Sequence, residues 1–123
     1  MRKLTDHKVN GLNEAIEISV LDEPGQGGAC HEYLLELSLA PITTFPPTTI
    51  RFQNGPVLEA GFNGISQEAL LAVVIDRLRS FQAGPFACRD NAIALTHLED
   101  ALMRLQRRTR DRMARGVEGT NNK

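Results

Sequence analysis

Arg104, Arg108 and Arg112 recur every four residues in the segment Arg104-Leu-Gln-Arg-Arg-Thr-Arg-Asp-Arg-Met-Ala-Arg115. That window holds six of the chain's fourteen basic residues and a single acid, Asp111. On a helix of 3.6 residues per turn, the four-residue spacing stacks three guanidinium groups along one face. Each group is a planar fork of five donors that matches two phosphate oxygens at once, and six arginines with no lysine point to geometry as well as charge. The chemistry this pattern offers is phosphate binding. A solvated helix end, where cations also suit the macrodipole, is the plain alternative. The whole chain carries a formal charge of −1, so the basic patch is local and the remainder is acidic. A general nucleic-acid coat protein would be basic throughout.

Two further groups could meet a nucleotide. Phe81 and Phe86 flank a bend, Phe81-Gln-Ala-Gly-Pro-Phe86, and aromatic faces stack nucleobases. Arg89 and Asn91 come next, and an Asn carboxamide offers both a donor and an acceptor to a base or ribose edge. Against this, the two Phe could simply lock the bend, and Arg89 and Asp90 could be solvated first-turn charges. No catalytic constellation is visible. His7, His31 and His97 are scattered, the serines lack a motif, and Cys30 and Cys88 have neither zinc nor disulfide spacing. They read as buried reduced thiols. No catalytic residue, metal site or cofactor is expected.

These side chains need elements to position them. At 123 residues the chain reads as one domain, 1–123, of modest core, with 41% apolar and 24% charged residues. Ile16, Ile18 and Val20 alternate with polar residues, as do Tyr33, Leu35, Leu37 and Leu39, and again Ile50 and Phe52, the period of half-buried strands. The glycine-rich stretch 22–29 and the proline-rich stretch from Pro41 to Pro47 read as connections. Asn54-Gly55 predicts a tight turn into a further strand, Pro56-Val-Leu-Glu59. Three or four antiparallel strands thus occupy 14–62.

From 65 to 115 the period becomes helical. Ser66 is a good N-cap for a helix reaching about Gln82, apolar around almost its whole circumference from Ala69 to Leu78. Gly84 is expected in the left-handed conformation at its end, with Pro85 opening a second helix from about Phe86 to Ala114. Residues 116–123 form a tail. The fold class is α+β, a small N-terminal antiparallel sheet followed by a long C-terminal helical hairpin. The second helix should overhang the first by about ten residues, or about 15 Å. Asn91 and Arg108 lie about 26 Å apart along it, too far for one small ligand to touch both within one chain. A second copy could close that gap, and an all-round apolar helix also asks for one. The N-terminus lacks an apolar leader and no run approaches a membrane span, so a cytoplasmic location and no membrane partner are expected.

Several long runs resemble a phage family. They are Ile50-Arg-Phe-Gln-Asn-Gly-Pro56, Gly61-Phe-Asn-Gly64, the stretch from Val74 to Ala92, Arg108-Thr-Arg-Asp-Arg112 and Arg115-Gly-Val-Glu-Gly-Thr120. Together, over residues 14–120, they resemble the Thoeris anti-defence 1 proteins, whose helical hairpin is shared with the anti-CBASS 2 sponge proteins. The resemblance implies a non-enzymatic protein of the infected bacterium's cytoplasm. It would capture cyclic ADP-ribose isomers made by TIR proteins and hold them intact. It also implies, in some members, cyclic di- or trinucleotide binding and a hexamer built as a trimer of dimers. Carried onto this chain, the implied pocket lies between two protomers, with Phe81 and Asn91 on the base and Arg108 and Arg112 on the phosphates. Arg104, Arg89, Thr96 and Thr120 are further ligand-binding candidates. Both clamp arginines read as exposed, so removing them should barely change thermal stability. The competing reading is a small oligomeric module that binds DNA or RNA through the arginine helix; the sponge reading predicts no nucleic-acid polymer as partner.

Overall fold

A computed structural model describes residues 1–38 and 45–123 of the chain. Leu39 and most of the proline-rich connection lie outside the described residues. The chain forms two compact units, Met1–Ile65 and Ser66–Lys123, and the boundary falls where strand patterning gives way to helical patterning.

The first unit is a four-stranded antiparallel meander of β1 (Arg2–Leu4), β2 (Ile16–Val20), β3 (Glu32–Leu37) and β4 (Thr48–Arg51), in that spatial order. The alternating apolar residues set the register: Ile16, Ile18 and Val20 face Leu37, Leu35 and Tyr33 across the β2–β3 pair. Tyr33 meets Phe52 edge-on, ring centres 5.7 Å apart, a favoured aromatic geometry. Ala15, Val20 and Cys30 form the buried apolar centre, joined by Ser19 and His31. Both buried polar groups are satisfied: Lys3 Nζ donates to Ser19 Oγ at 2.8 Å, and His31 Nε2 lies 3.1 Å from the Gln26 carbonyl. Asp22 closes the glycine-rich connection, accepting from the backbone N–H groups of His31 (2.8 Å) and Glu32 (3.1 Å). Those donors hold its carboxyl below the usual aspartate range, the His31 N–H foremost.

Two expectations for this unit are corrected. The stretch after Asn54-Gly55 is not a strand: Val57–Ala60 is a short helix, α2, preceded in this unit by another, α1 (Gly11–Ala15). Gly55 takes φ +90, and the Ala60 N–H bonds back to the Pro56 carbonyl at 2.7 Å, so the chain coils instead of pairing. The Gln53 amide fixes that coil, donating to the Gly55 and Gly61 carbonyls. The fourth strand is β1, which has one apolar residue and no visible alternation. Gly64 is needed where it stands, since a Cβ there would sit 2.4 Å from the Phe52 carbonyl carbon.

The second unit is a helical hairpin of α3 (Gln67–Gln82) and α4 (Arg89–Ala114). Ser66 caps α3 as expected, accepting from the Ala69 N–H at 3.1 Å. Ala92, Leu95, Leu98, Leu102 and Leu105 are half-buried on α4, and Arg79 of α3 donates to Glu99 of α4 at 2.8 Å. The bend differs from expectation. Gly84 is not left-handed; α3 ends through Ala83 in a helical conformation, and α4 starts at Arg89, three residues later than expected. Cys88 is exposed, not buried, and serves as the N-cap, its Sγ accepting from the Asn91 N–H at 3.4 Å. The Gln82 side chain accepts from the Cys88 N–H across the bend. Among the described residues, no helix is long and apolar enough to cross a membrane.

Candidate functional site

At the hairpin bend, Phe81 occupies the last turn of α3 and is 38% exposed. Its ring pairs with a cation, not with Phe86: the Arg77 guanidinium sits one turn earlier, 5.4 Å from the ring centre. Phe86 is 73% exposed, so the bend is not held by an aromatic lock. Phe81 therefore has one face covered by Arg77, a contact that the i,i+4 spacing of the two residues could have signalled. Asn91, half-buried in the first turn of α4, has no side-chain partner among the described residues. Arg89 and Thr96, two of the further candidates, come together with Ala92, Ile93 and His97 around an open groove of about 240 Å³ on α4.

At the far end of α4 the arginines separate into three kinds. Arg107, Arg108 and Arg110 are exposed and form no ion pair or hydrogen bond with another described residue. Arg104 lies 4.0 Å from Asp100, and Arg115 pairs with Asp111 at 3.0 Å. Arg112 differs from all of these: it is 8% exposed and wrapped by the tail. Its Nε donates to Glu118 Oε2 (3.1 Å), its Nη1 to the Asn122 carbonyl (2.7 Å), and its Nη2 to the carbonyls of Val117 (3.0 Å) and Thr120 (3.1 Å). The tail reaches this position because α4 ends in a Schellman turn. Gly116 takes φ +73, its N–H bonds to the Met113 carbonyl, and the Val117 N–H bonds to the Arg112 carbonyl. Thr120 belongs to the same wrap, its hydroxyl bonded to the Val117 carbonyl and accepting from the Asn122 N–H.

The expectation that both clamp arginines are exposed is thus corrected: Arg108 is exposed and Arg112 is buried. Arg108 has its whole fork available for an anion. Arg112 has four donated bonds already made to oxygen acceptors, one of them a carboxylate. Within one hairpin, Phe81, Asn91 and Arg89 cluster towards the bend while Arg108, Arg112 and Thr120 cluster at the other end, the two groups about 26 Å apart along α4. The residues that the sequence nominates for base and for phosphate contact therefore lie in two separate groups on one hairpin.

Residues 46–110, running from just before β4 through most of α4, match the family described as the Acb2/Tad1 hairpin domain. Over 75 residues the chain is 56% identical to the protein named Thoeris anti-defense 1 of Bacillus phage SBSphiJ7. That stretch covers 61% of this chain and 53% of that relative, so the chain spans about half the length of the curated relative it matches.

Proposed function

Because the chain belongs to the Acb2/Tad1 hairpin family, we propose that it is a phage anti-defence protein that captures cyclic ADP-ribose isomers and holds them uncleaved. The observation that carries this reading is the pair of half-sites on one hairpin, each with uncommitted ligand-binding groups. Phe81 presents an aromatic face to a base, and the Asn91 carboxamide is free to bond a polar edge. Arg108 provides a charge-assisted donor pair for a phosphate oxygen, with Arg112 beside it one turn on. Nothing in this set is a nucleophile or a base, so its action is sequestration, which keeps the signal from its effector.

The separation of the two groups along α4 supports a second copy of the chain as partner. A second copy running antiparallel brings its Arg108 end to the Phe81 end of the first, and two equivalent pockets form per dimer. The exposed apolar residues on the hairpin, Val73 (60%), Val74 (44%) and Met103 (53%), are suited to burial in such an assembly. Three dimers in a hexamer would create further sites, and cyclic di- and trinucleotides are the ligand class for them, with Arg104, Arg89, Thr96 and Thr120 as contacts.

Arg107, Arg108 and Arg110, exposed and without a partner among the described residues, keep a second reading in view, binding of DNA or RNA along the helix. Titration calorimetry separates the two. A panel of cyclic ADP-ribose isomers should bind with one site per protomer, while random duplexes should fail to compete at physiological salt. Duplex binding that weakens steeply with salt, without cyclic ADP-ribose binding, would favour the second reading.

A further inference from the structure

The tail's grip on Arg112 bears on how tightly the phosphate half-site can hold a ligand, an inference that rests on the proposed function and refines it. A phosphate approaching Arg112 meets a fork with four of its five donors already engaged. Three of the acceptors around it are backbone carbonyls, of Val117, Thr120 and Asn122, and carry no net charge. The fourth is the Glu118 carboxylate, 3.1 Å from Nε and 44% exposed. A phosphate oxygen outcompetes a neutral carbonyl for a guanidinium because it adds the attraction of an opposite charge to the hydrogen bond. It holds no such advantage over a carboxylate, which is itself an anion, bonded here to Nε through one oxygen.

We propose that Glu118 is an affinity-setting residue of the phosphate half-site, its carboxylate being the anion that a ligand phosphate displaces from Arg112 Nε. Glu118 acts as a built-in competitor. Ligand capture exchanges one anion for another on Nε, so Arg112 contributes only the difference between phosphate and carboxylate. The partial exposure of Glu118 suits this exchange: once displaced, the carboxylate swings into water without being stranded. The tail's other anchors, the Schellman turn at Gly116 and the Arg115 donation to the Lys123 carbonyl at 2.6 Å, do not use Glu118 and leave the tail a path to stay folded.

The test is the substitution Glu118→Gln in the full chain, which keeps the shape and an acceptor oxygen while removing the charge. Binding is read by calorimetry with a cyclic ADP-ribose isomer and, separately, with inorganic pyrophosphate. Asp111→Asn serves as the control, because Asp111 is an acid of the same segment paired with Arg115 instead of Arg112. Glu118→Gln should tighten binding of both probes by about threefold to tenfold, the scale of a partly exposed ion pair next to a buried partner. Asp111→Asn should change affinity by less than about twofold. In an Arg112→Lys background, which lacks the fork, the gain from Glu118→Gln should disappear. Equal tightening by both acid substitutions would mean general electrostatics and would overturn the assignment, as would unchanged or weaker binding in Glu118→Gln. If the unsubstituted chain binds cyclic ADP-ribose but Glu118→Gln gains nothing, this inference alone fails. If it binds neither probe, the proposed function fails and takes the inference with it.

Discussion

Arg108 and Arg112, four residues apart, stand in opposite surroundings, the first exposed and the second bonded to the tail. Arg108→Ala removes a solvated charge that has no partner among the described residues of its own chain. It should weaken ligand binding by about 1.5–3 kcal/mol, the range for bonds to charged groups, and leave the melting temperature nearly unchanged. Arg112→Ala removes the hub of four bonds. It should cost about 1–3 kcal/mol of stability, read by chemical unfolding, and expose residues 116–122 to protease. The stripe itself is legible in the sequence, because a four-residue recurrence fixes a helix face whatever the tertiary context. The difference between the two arginines is not. Arg112's partners are backbone carbonyls and one acid in a glycine-containing tail, and carbonyls leave no signature in residue type. The partner of Phe81 is within reach of the sequence, since Arg77 stands four residues before it, although Phe86 across the bend is the more conspicuous neighbour. Phe81→Ala should weaken capture by about 1–3 kcal/mol, the worth of one stacked base, measured by the same calorimetry.

Elements are readable in proportion to how strongly their own residues alternate or repeat. β2 and β3 announce themselves through Ile16, Ile18, Val20, Tyr33, Leu35 and Leu37, and α3 through its Ser66 cap and apolar run. β1 carries no such signal because its pairing is decided by the strand it meets, Leu4 opposite Ile18 and Lys3 opposite Ser19. The helix after Gly55 is hidden for a different reason, since Asn-Gly signals a turn without specifying the element beyond it. Here a side chain outside the turn dipeptide, Gln53, holds the chain in a coil. Two element-scale outcomes rest on geometry. Gly116→Ala places a side chain at φ +73, so α4's terminus should lose about 1–2 kcal/mol, and the tail should open to hydrogen exchange. Asp22 joins β2 to β3 through two N–H groups, and its carboxyl is held below the ordinary aspartate value of 3.8. A depressed folded value means that its stabilisation is present above that ordinary value and fades as pH falls through the lowered one. Glu17, bonded to Lys8 at 2.7 Å, has the same sign. Stability measured by urea unfolding should therefore decline on acidification below about pH 4, and Asp22→Asn should flatten that decline while lowering the plateau above it.

At the scale of the whole molecule, the hairpin leaves Val73, Val74 and Met103 exposed. The proposed dimer would cover them, and light scattering at micromolar concentration should then find dimers or larger assemblies with no 13.6 kDa species. The α+β class and the place of the sheet-to-hairpin boundary are legible because the apolar period changes from two to the helical value near residue 65. Capture without cleavage is the central property of the molecule proposed here, and one measurement addresses it most directly. The protein is loaded with a cyclic ADP-ribose isomer, incubated, freed of unbound ligand and denatured, and the released small molecule is identified by chromatography and mass. Recovery of the same isomer at its original mass, in an amount that tracks protomer number and does not fall with incubation time, is the predicted result. A linear ADP-ribose product that accumulates with time, and is lost in Phe81→Ala and Arg108→Ala, would contradict sequestration and make the protein an enzyme that destroys the signal.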